Sequence, residues 1–294
     1  MESSMENGEK TGLVLEGGGM RGIYTAGVLD AFMESQITFD GVIGVSAGAI
    51  HGCSFVSGQK GRSIRYYKKY YRDKRFMSYW NFFRTGNLVD EKFCYHDLPE
   101  VLDPYDYDAF QKSQTEFYVT CTNVETGKAE YIKIEDMRTQ IDCMRASASL
   151  PYVSKIVEAD GKKLLDGGCA DSIPVRAFMD MGFKRNVVVL TREKGYVKKE
   201  SRSAMARRFF RKYPEFAKAL ENRPKVYNEE LKEIERLEAA GKIFVIRPSK
   251  ALTIGRMSHN GDEIIGTYEN GYQDAKGCME SLVSWLETGL EDIL

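Results

Sequence analysis

The sequence predicts a three-layer α/β fold, with helices on both faces of a mainly parallel central sheet and a mostly helical C-terminal region. Short apolar runs alternate with longer segments of helical periodicity, which is the pattern of βαβ units. Two of these runs end in glycine-rich turns that lead directly into a helix. The chain has 294 residues, of which 43% are hydrophobic, so it can bury a large core.

The elements follow in order along the first two thirds of the chain. Strands are predicted at 13–16 and 39–45, with a crossing helix over 21–33 and a second helix over 47–56. A hairpin is expected at 117–122 and 129–134, and a second strand pair at 155–158 and 163–165 around Asp160-Gly161. A helix over 175–181 and a strand over 186–190 complete this unit.

The C-terminal region is expected to be mostly helical. Helices are predicted over 204–220, over 224–240 with Pro224 as a first helical residue, and over 262–286. A last buried strand is predicted at 243–246. We therefore divide the chain into an α/β domain, residues 1–195, and a C-terminal region, residues 196–294, that packs on the first domain or continues it.

Ser46 stands at the centre of Gly44-Val45-Ser46-Ala47-Gly48, between the second predicted strand and its helix. A serine at a sharp strand-to-helix turn is exposed as a nucleophile, and small flanking residues allow the turn to pack closely. The G-x-S-x-G string also occurs by chance, so its position after a strand and before a helix carries the inference.

A glycine-rich turn, Gly17-Gly18-Gly19-Met20-Arg21-Gly22, opens the first predicted helix. Unpaired backbone N–H groups at a helix start favour negative charge. The string also fits the dinucleotide fingerprint, but that site needs an acidic residue at the end of the second strand, where this chain has Ser46. A nucleophile beside an anion cradle favours acyl transfer through an oxyanion intermediate.

Asp166 is the third candidate residue. Leu164-Leu165 brings it to the end of a predicted strand, and Gly167-Gly168 lets the chain turn away. On its own, such an aspartate is more often the cap of a turn.

Taken together, these motifs resemble the patatin-like phospholipases, a family of lipid acyl hydrolases with a Ser-Asp dyad, and most closely their bacterial branch. The resemblance rests on the Gly17–Gly22 turn, the Gly44–Gly48 elbow, Ala148-Ser149-Leu150-Pro151 and Asp166-Gly167-Gly168. It implies a patatin-like fold in which residues 1–195 are the catalytic domain. Little of the chain beyond residue 195 matches, so it implies no role for the C-terminal region.

The resemblance also implies a role for each matching residue. Ser46 would be the nucleophile and Asp166 its base. Gly44 and Gly48 would flank the nucleophile. The oxyanion hole would consist of the backbone N–H groups of Gly17, Gly18 and Gly19, with Arg21 at the head of the following helix.

Three histidines leave a triad open as an alternative. His51 lies on the predicted helix that follows Ser46, at an offset that turns it away from the hydroxyl, and His96 lies in an acidic loop. His259 completes the chain order Ser-Asp-His of α/β-hydrolases, although that fold places several strands before the nucleophile. The alternatives are thus a triad esterase that uses His259 and a catalytically inactive lipid-binding scaffold.

A dyad requires an aspartate to act as a base. The ordinary pKa of an aspartate is ~3.9, and burial away from cations would raise the pKa of Asp166. Proton transfer can then be concerted with attack if the carboxylate lies within hydrogen-bond reach of the hydroxyl. This chemistry requires neither a metal nor a cofactor.

Composition agrees with a soluble cytoplasmic enzyme, and the resemblance implies a lipid or small ester as its substrate. The net charge of −1 provides no field that favours nucleic acid, and the six cysteines have no zinc-ligand spacing. The N-terminus shows no signal peptide, and no stretch approaches the ~20 apolar residues that span a bilayer. The oligomeric state is left open.

Two basic segments suggest peripheral contact with an anionic membrane. Residues 60–75 carry eight lysines or arginines interleaved with tyrosines, and residues 198–212 carry seven, with Phe209 and Phe210. Each basic residue near an anionic surface contributes about 1 kcal/mol. Solvated helix faces are the alternative for both segments. Aromatic-basic interleaving also suits RNA, but nothing else in the sequence supports it.

An acidic stretch, residues 90–108, carries seven carboxylates. Its spacing does not match a calcium loop. We expect a solvated loop or a lid that covers the active site.

Overall fold

The computed structural model describes residues 9–199, 203–255 and 257–288. The strands are β1 Lys10–Leu15, β2 Gly41–Val45, β3 Glu116–Asn123, β4 Ala129–Lys133, β5 Val157–Ala159, β6 Lys162–Asp166, β7 Phe183–Val189 and β8 Ile243–Ile246. The α-helices are α1 Ile23–Glu34, α2 Ala47–Val56, α3 Arg62–Tyr70, α4 Tyr79–Thr85, α5 Tyr107–Lys112, α6 Ile141–Ser147, α7 Val175–Asp180, α8 Ser203–Phe209, α9 Pro214–Ala239, α10 Gly261–Gly277 and α11 Met279–Glu287. Two 3-10 turns, Gly19–Gly22 and Gly167–Cys169, and a π-helix, Phe93–Leu102, complete the described elements.

One mixed sheet organises the molecule, with strand order β5-β6-β3-β2-β1-β7-β8 and β4 paired to β3. The pairs β1/β2, β1/β7, β2/β3 and β7/β8 are parallel. The pairs β3/β4, β3/β6 and β5/β6 are antiparallel. The prediction of a mainly parallel α/β sheet is confirmed.

Strand β3 pairs with two strands, β2 and β6, along one of its edges. Its first part pairs with β2 up to Val45↔Thr120, and its last part pairs with β6 from Cys121↔Asp166 onward. Strand β4 pairs with residues of both parts, so β4 occupies the opposite edge. Since β2 runs parallel and β6 antiparallel to β3, the carboxyl ends of β2 and β6 meet head to head.

Helices cover both faces of the sheet. Along β1, Leu13 and Leu15 point into a core shared with α1 and α2, whereas Val14 points into a second core shared with α7 and α9. This alternation follows from the two-residue period of a strand. Both faces of the parallel part are therefore buried, which explains why its strands are apolar throughout.

The C-terminal region packs on the α/β domain and extends its sheet. Strand β8 extends the sheet by pairing with β7, and α10 packs on α1. The two helices approach so closely that a Cβ atom at Gly27 or at Gly271 would lie 2.0 Å from a backbone oxygen of the other helix. Tyr24 and Tyr268 each donate a hydrogen bond across this contact.

Three predicted boundaries in this region are wrong. The predicted helix over 204–220 is divided, because α8 ends at Phe209 and α9 begins at Pro214. Pro224 does not begin a helix: it lies inside α9, which starts instead with Pro214. The burial of Leu220 and Tyr227 on either side of Pro224 holds the helix together despite the lost hydrogen bond. The predicted helix over 262–286 is divided at Cys278 into α10 and α11.

The glycine contact between α1 and α10 yields a test of how the C-terminal region is attached. Gly271→Ala should lower the free energy of unfolding by about 1–3 kcal/mol, because the added methyl group forces the helices apart. Gly266 is the matched control, because a Cβ atom at this position of the same helix would meet nothing within 4 Å among the described residues. Gly266→Ala should stabilise by about 0.5–1 kcal/mol through helix propensity alone. Urea unfolding measures the change in the free energy of unfolding for both variants. Equal changes would contradict the close contact between α1 and α10.

Candidate active site

Ser46 occupies a strained turn between β2 and α2. Its backbone has φ 55° and ψ −120°, and a non-glycine residue is rarely found at positive φ. The turn is possible because the helix start packs directly on β1: a Cβ atom at Gly48 would lie 2.5 Å from the carbonyl oxygen of Leu15. Such strain is retained where the surroundings over-determine the geometry, and it clusters at functional sites.

A buried serine that sequence analysis missed supports this turn. The backbone N–H of Ser46 donates to Oγ of Ser147 over 2.8 Å, and that hydroxyl donates to the carbonyl oxygen of Thr120 over 2.7 Å. Ser147 thereby ties the Ser46 turn to β3. The only signal in the sequence was its position next to the Ala148–Pro151 stretch that carried the family resemblance.

Asp166 ends β6 at the point where β2 also ends. The aspartate is opposite Cys121, and the preceding β3 residue, Thr120, is opposite Val45. The N–H of Asp166 donates to the carbonyl of Ser149 over 2.9 Å, and its Oδ1 accepts from the N–H of Gly168 over 2.8 Å. Ser46 is 6% exposed and Asp166 is 2% exposed, so both lie under the surface, lining one pocket.

The glycine turn after β1 packs against Ser46. A Cβ atom at Gly17 would lie 3.3 Å from Cβ of Ser46, and one at Gly18 would lie 2.9 Å from Oγ1 of Thr191. Gly19 has φ 57°, which glycine adopts without strain. Gly17, Gly18, Gly19 and the buried Arg21 all line the pocket that holds Ser46 and Asp166.

Ser46 lies at the border of two cavities of opposite character. The first, of about 150 Å³, is mainly apolar and lies between α2, α3, α6 and the π-helix. The second, of about 40 Å³, contains Asp166 and the glycine turn. Gly19, Ser46 and Leu150 line both cavities. We call them the apolar cavity and the polar pocket.

The polar pocket contains more positive charge than the sequence led us to expect. Its lining includes the cationic side chains of Arg21, Arg192, Lys198 and Arg223. The condition under which burial would raise the pKa of Asp166, a site away from cations, is therefore not met in this pocket.

The acidic stretch forms a wall of the apolar cavity, and the expectation of a solvated loop is wrong. Residues 93–102 form the π-helix, and its Cys94, Tyr95, Leu98 and Pro99 line the cavity. At its end, the buried Asp103 accepts two hydrogen bonds of 2.7 Å from Arg65. The carboxylates here thus have structural partners, while movement of this segment as a lid stays a prediction.

The first basic segment does not form the aromatic-basic surface that the sequence suggested. Tyr66, Tyr67 and Tyr70 are buried in a core cluster, and the buried Arg62 lies 3.6 Å from a carboxylate oxygen of Asp103. In the second segment, Phe210 is buried and Phe209 is exposed. Residues 200–202 of that segment lie outside the described part of the chain.

None of the three histidines lines either cavity next to Ser46. His51 is a buried residue of α2, its Nδ1 lies 2.9 Å from Oγ of Ser63, and burial lowers its pKa to about 3. His96 is exposed. His259 lies just before α10, and its Nε2 is 2.8 Å from the carbonyl oxygen of Met77.

The family model of the patatin-like phospholipases matches residues 13–179, the part of the chain that contains the glycine turn, Ser46 and Asp166. The chain belongs to the patatin-like phospholipase family. A second family model, a domain of unknown function (DUF6363), matches residues 213–287. Arg223 lies in that second part, whereas Arg192 and Lys198 lie between the two.

The chain is also similar to curated proteins and to a solved structure. The chain is 34% identical to the uncharacterized protein YjjU of Escherichia coli over 184 residues, which are 61% of this chain and 51% of YjjU. It is 31% identical to lysophospholipase nte1 of Emericella nidulans over 183 residues, which are 60% of this chain and 11% of that protein. The crystal structure of VipD from Legionella pneumophila covers 93% of this chain and 67% of its own, with a TM-score of 0.46 and 14% identity.

Among the described residues, no helix is both long enough and apolar enough to cross a membrane.

Proposed function

We propose that the protein is a lipid acyl hydrolase that cleaves carboxylic esters through an acyl-enzyme on Ser46. One observation carries this proposal: the strained serine stands between an apolar cavity and a pocket that contains a carboxylate and a glycine turn. A lipid ester has the matching chemistry, with an apolar chain on one side of its carbonyl carbon and a polar alcohol on the other. The name of the fungal relatives, lysophospholipase, agrees with that substrate class.

In the first half of the reaction, Oγ of Ser46 attacks the carbonyl carbon while its proton passes to the carboxylate of Asp166. The head-to-head ends of β2 and β6 bring the two residues into one pocket. Collapse of the tetrahedral intermediate expels the alcohol, which takes the proton from Asp166. In the second half, Asp166 accepts a proton from water, whose oxygen attacks the carbonyl carbon of the acyl-enzyme. Collapse of this second tetrahedral intermediate releases the fatty acid, and Asp166 returns the proton to Oγ of Ser46.

The negative charge that develops on the carbonyl oxygen requires donors. The backbone N–H groups of Gly17, Gly18 and Gly19 are the proposed oxyanion hole, with Arg21 adding positive charge at the start of α1. Each such donor contributes about 3–4 kcal/mol of transition-state stabilisation in other hydrolases. Because the turn is backbone, it is already in place before the substrate arrives.

A triad with His259 receives little support from the geometry. The imidazole is engaged with the carbonyl of Met77, and His259 is absent from the linings of the polar pocket and the apolar cavity. An inactive lipid-binding scaffold is also disfavoured, because a strained serine elbow confers no benefit without a reaction to serve.

Labelling with a fluorophosphonate, read by intact mass, tests the dyad. We expect one adduct on the wild-type protein and none on Ser46→Ala. Asp166→Asn keeps the acceptor for the Gly168 N–H but removes the base, so its labelling rate should fall by at least about 100-fold.

His259→Gln is the control, since glutamine can still donate to the Met77 carbonyl, and it should label at the wild-type rate. Loss of labelling in this variant together with normal labelling of Asp166→Asn would favour the triad. No adduct on a folded wild-type protein would favour the inactive scaffold.

We also propose that the enzyme meets its substrate at a membrane surface through α4 and not through the tyrosines of residues 60–75. Trp80 is 51% exposed and Phe83 is 83% exposed, and the cationic groups of Lys74 and Arg84 lie over the Trp80 ring at 6.0 and 5.1 Å. Aromatic rings next to cations suit the headgroup region of a bilayer. The segments on either side of α4 line the apolar cavity through Met77 and Leu88. An acyl chain that leaves the bilayer at α4 would thus reach the apolar cavity directly.

Vesicle binding tests this contact. The chain has two tryptophans, so a Trp285→Phe background leaves Trp80 as the sole tryptophan, and its fluorescence should shift to the blue on vesicles that contain phosphatidylglycerol. Phe83→Ala should weaken binding by about tenfold, from the lost apolar burial, whereas Met181→Ala, at an exposed apolar residue outside α4, should not. Binding that is unaffected by Phe83→Ala or insensitive to anionic lipid would contradict the proposal.

A further inference from the structure

Three cations of the polar pocket come from outside the part of the chain that the patatin-like family model matches. Arg192 follows β7, Lys198 lies in the segment after it, and Arg223 lies on α9 in the domain of unknown function. All three line the pocket next to Ser46 and Asp166. The C-terminal region therefore contributes directly to the surroundings of the nucleophile.

The guanidinium group of Arg223 packs over the turn that follows Asp166. A Cβ atom at Gly168 would lie 3.2 Å from Nη2 of Arg223 and 3.0 Å from Oδ1 of Asp166. Nε of Arg223 is buried and, within the described residues, has no hydrogen-bond partner. A buried donor without a partner is costly, and a bound ligand can satisfy it.

The other two cations are held in place by aromatic rings. The Arg192 guanidinium lies 4.2 Å from the centre of the Tyr196 ring, and the Lys198 ammonium lies 3.9 Å from the centre of the Tyr227 ring. The two rings contact each other edge to face. The hydroxyl of Tyr227 donates to the buried Glu16 over 2.7 Å, which fixes the ring from the far side. The cations are thus positioned before any ligand binds.

The lining of the pocket is rich in positive charge. It includes four cationic side chains and two carboxylates, Glu16 and Asp166, and Glu230 lies near Lys198. Each oxygen of Glu16 accepts a hydrogen bond from a neutral donor, one from the Tyr227 hydroxyl and the other from the Thr191 N–H. Cations that converge on one pocket favour the binding of an anion.

We propose that Arg192, Lys198 and Arg223 form an anion subsite that binds the phosphate of a glycerophospholipid while its acyl chain occupies the apolar cavity. This inference rests on the proposed function and assigns a role to the C-terminal region within it. Ser46 borders both cavities, so the ester carbonyl at Ser46 would have its chain on one side and the glycerol phosphate on the other. Arginine is suited to this role because its planar fork can bind two phosphate oxygens at once.

The test compares two lipids with the same acyl chain, 1-oleoyl lysophosphatidic acid and 1-oleoyl glycerol, presented in the same detergent micelles. The wild-type protein should favour the phosphate ester in kcat/KM. Arg223→Gln should lower the ratio of the two kcat/KM values by at least about tenfold, the effect of losing a charge-assisted hydrogen bond. Arg223→Lys should retain part of the preference.

Arg236→Gln is the matched control, because Arg236 lies on the same helix and pairs with Glu233 on the surface. It should leave the ratio unchanged. If Arg223→Gln lowers both kcat/KM values equally, Arg223 acts on the dyad and the phosphate subsite is rejected. An unchanged ratio rejects it as well.

A binding arm separates this inference from the proposed function. In a Ser46→Ala background, Arg223→Gln should raise the Kd of lysophosphatidic acid by at least about tenfold relative to that of oleoyl glycerol. This result would support the subsite even if the wild-type protein hydrolysed neither lipid. Failure to hydrolyse either lipid would overturn the proposed function but not the subsite. Inorganic phosphate that binds as tightly as lysophosphatidic acid would show a site for free phosphate and would overturn the lipid assignment.

Discussion

The shared edge of β3 is the constraint on which the candidate site depends. Two strands lie end to end along it, one parallel and one antiparallel, and their carboxyl ends bring Ser46 and Asp166 together. In an all-parallel sheet, a strand in the place of β6 would present its amino end to β2. The reversal of β6 is therefore what allows two residues distant in sequence to share one pocket, and the hydroxyl of Ser147 locks the junction to β3.

Other parts of the molecule pack around the junction of β2 and β6. The glycine turn after β1 packs on Ser46 from the neighbouring strand, and the π-helix and α3 enclose the apolar cavity. The C-terminal region forms one wall of the polar pocket through α9. It is attached to the rest of the molecule by β8, which pairs with β7, and by the glycine contact between α1 and α10. A region that shares the sheet and the pocket cannot be removed without exposing the site.

Sequence could predict the local parts of this arrangement but not the encounters between distant parts. Periodicity and turn residues located the strand before Ser46, the hairpin of β3 and β4, and the strand that ends at Asp166, because these signals are contained in neighbouring residues. The family resemblance added the pairing of Ser46 with Asp166. No local pattern indicated that Arg223 would reach the Gly168 turn, or that the tyrosines of α3 would be buried while Trp80 and Phe83 stayed exposed. The predicted helix start at Pro224 was wrong for the same reason, because packing around this residue outweighed its preference for the first position of a helix.

A crystal structure of the fluorophosphonate adduct would show whether Ser46, Asp166 and the glycine turn act on one substrate. We expect phosphorus bonded to Oγ of Ser46, with the phosphoryl oxygen facing the N–H groups of Gly17, Gly18 and Gly19. The carboxylate of Asp166 should then lie within hydrogen-bond reach of Oγ, with the alkyl chain of the probe in the apolar cavity. A phosphoryl oxygen directed away from the glycine turn, or an Asp166 carboxylate out of reach of Oγ, would contradict this expectation.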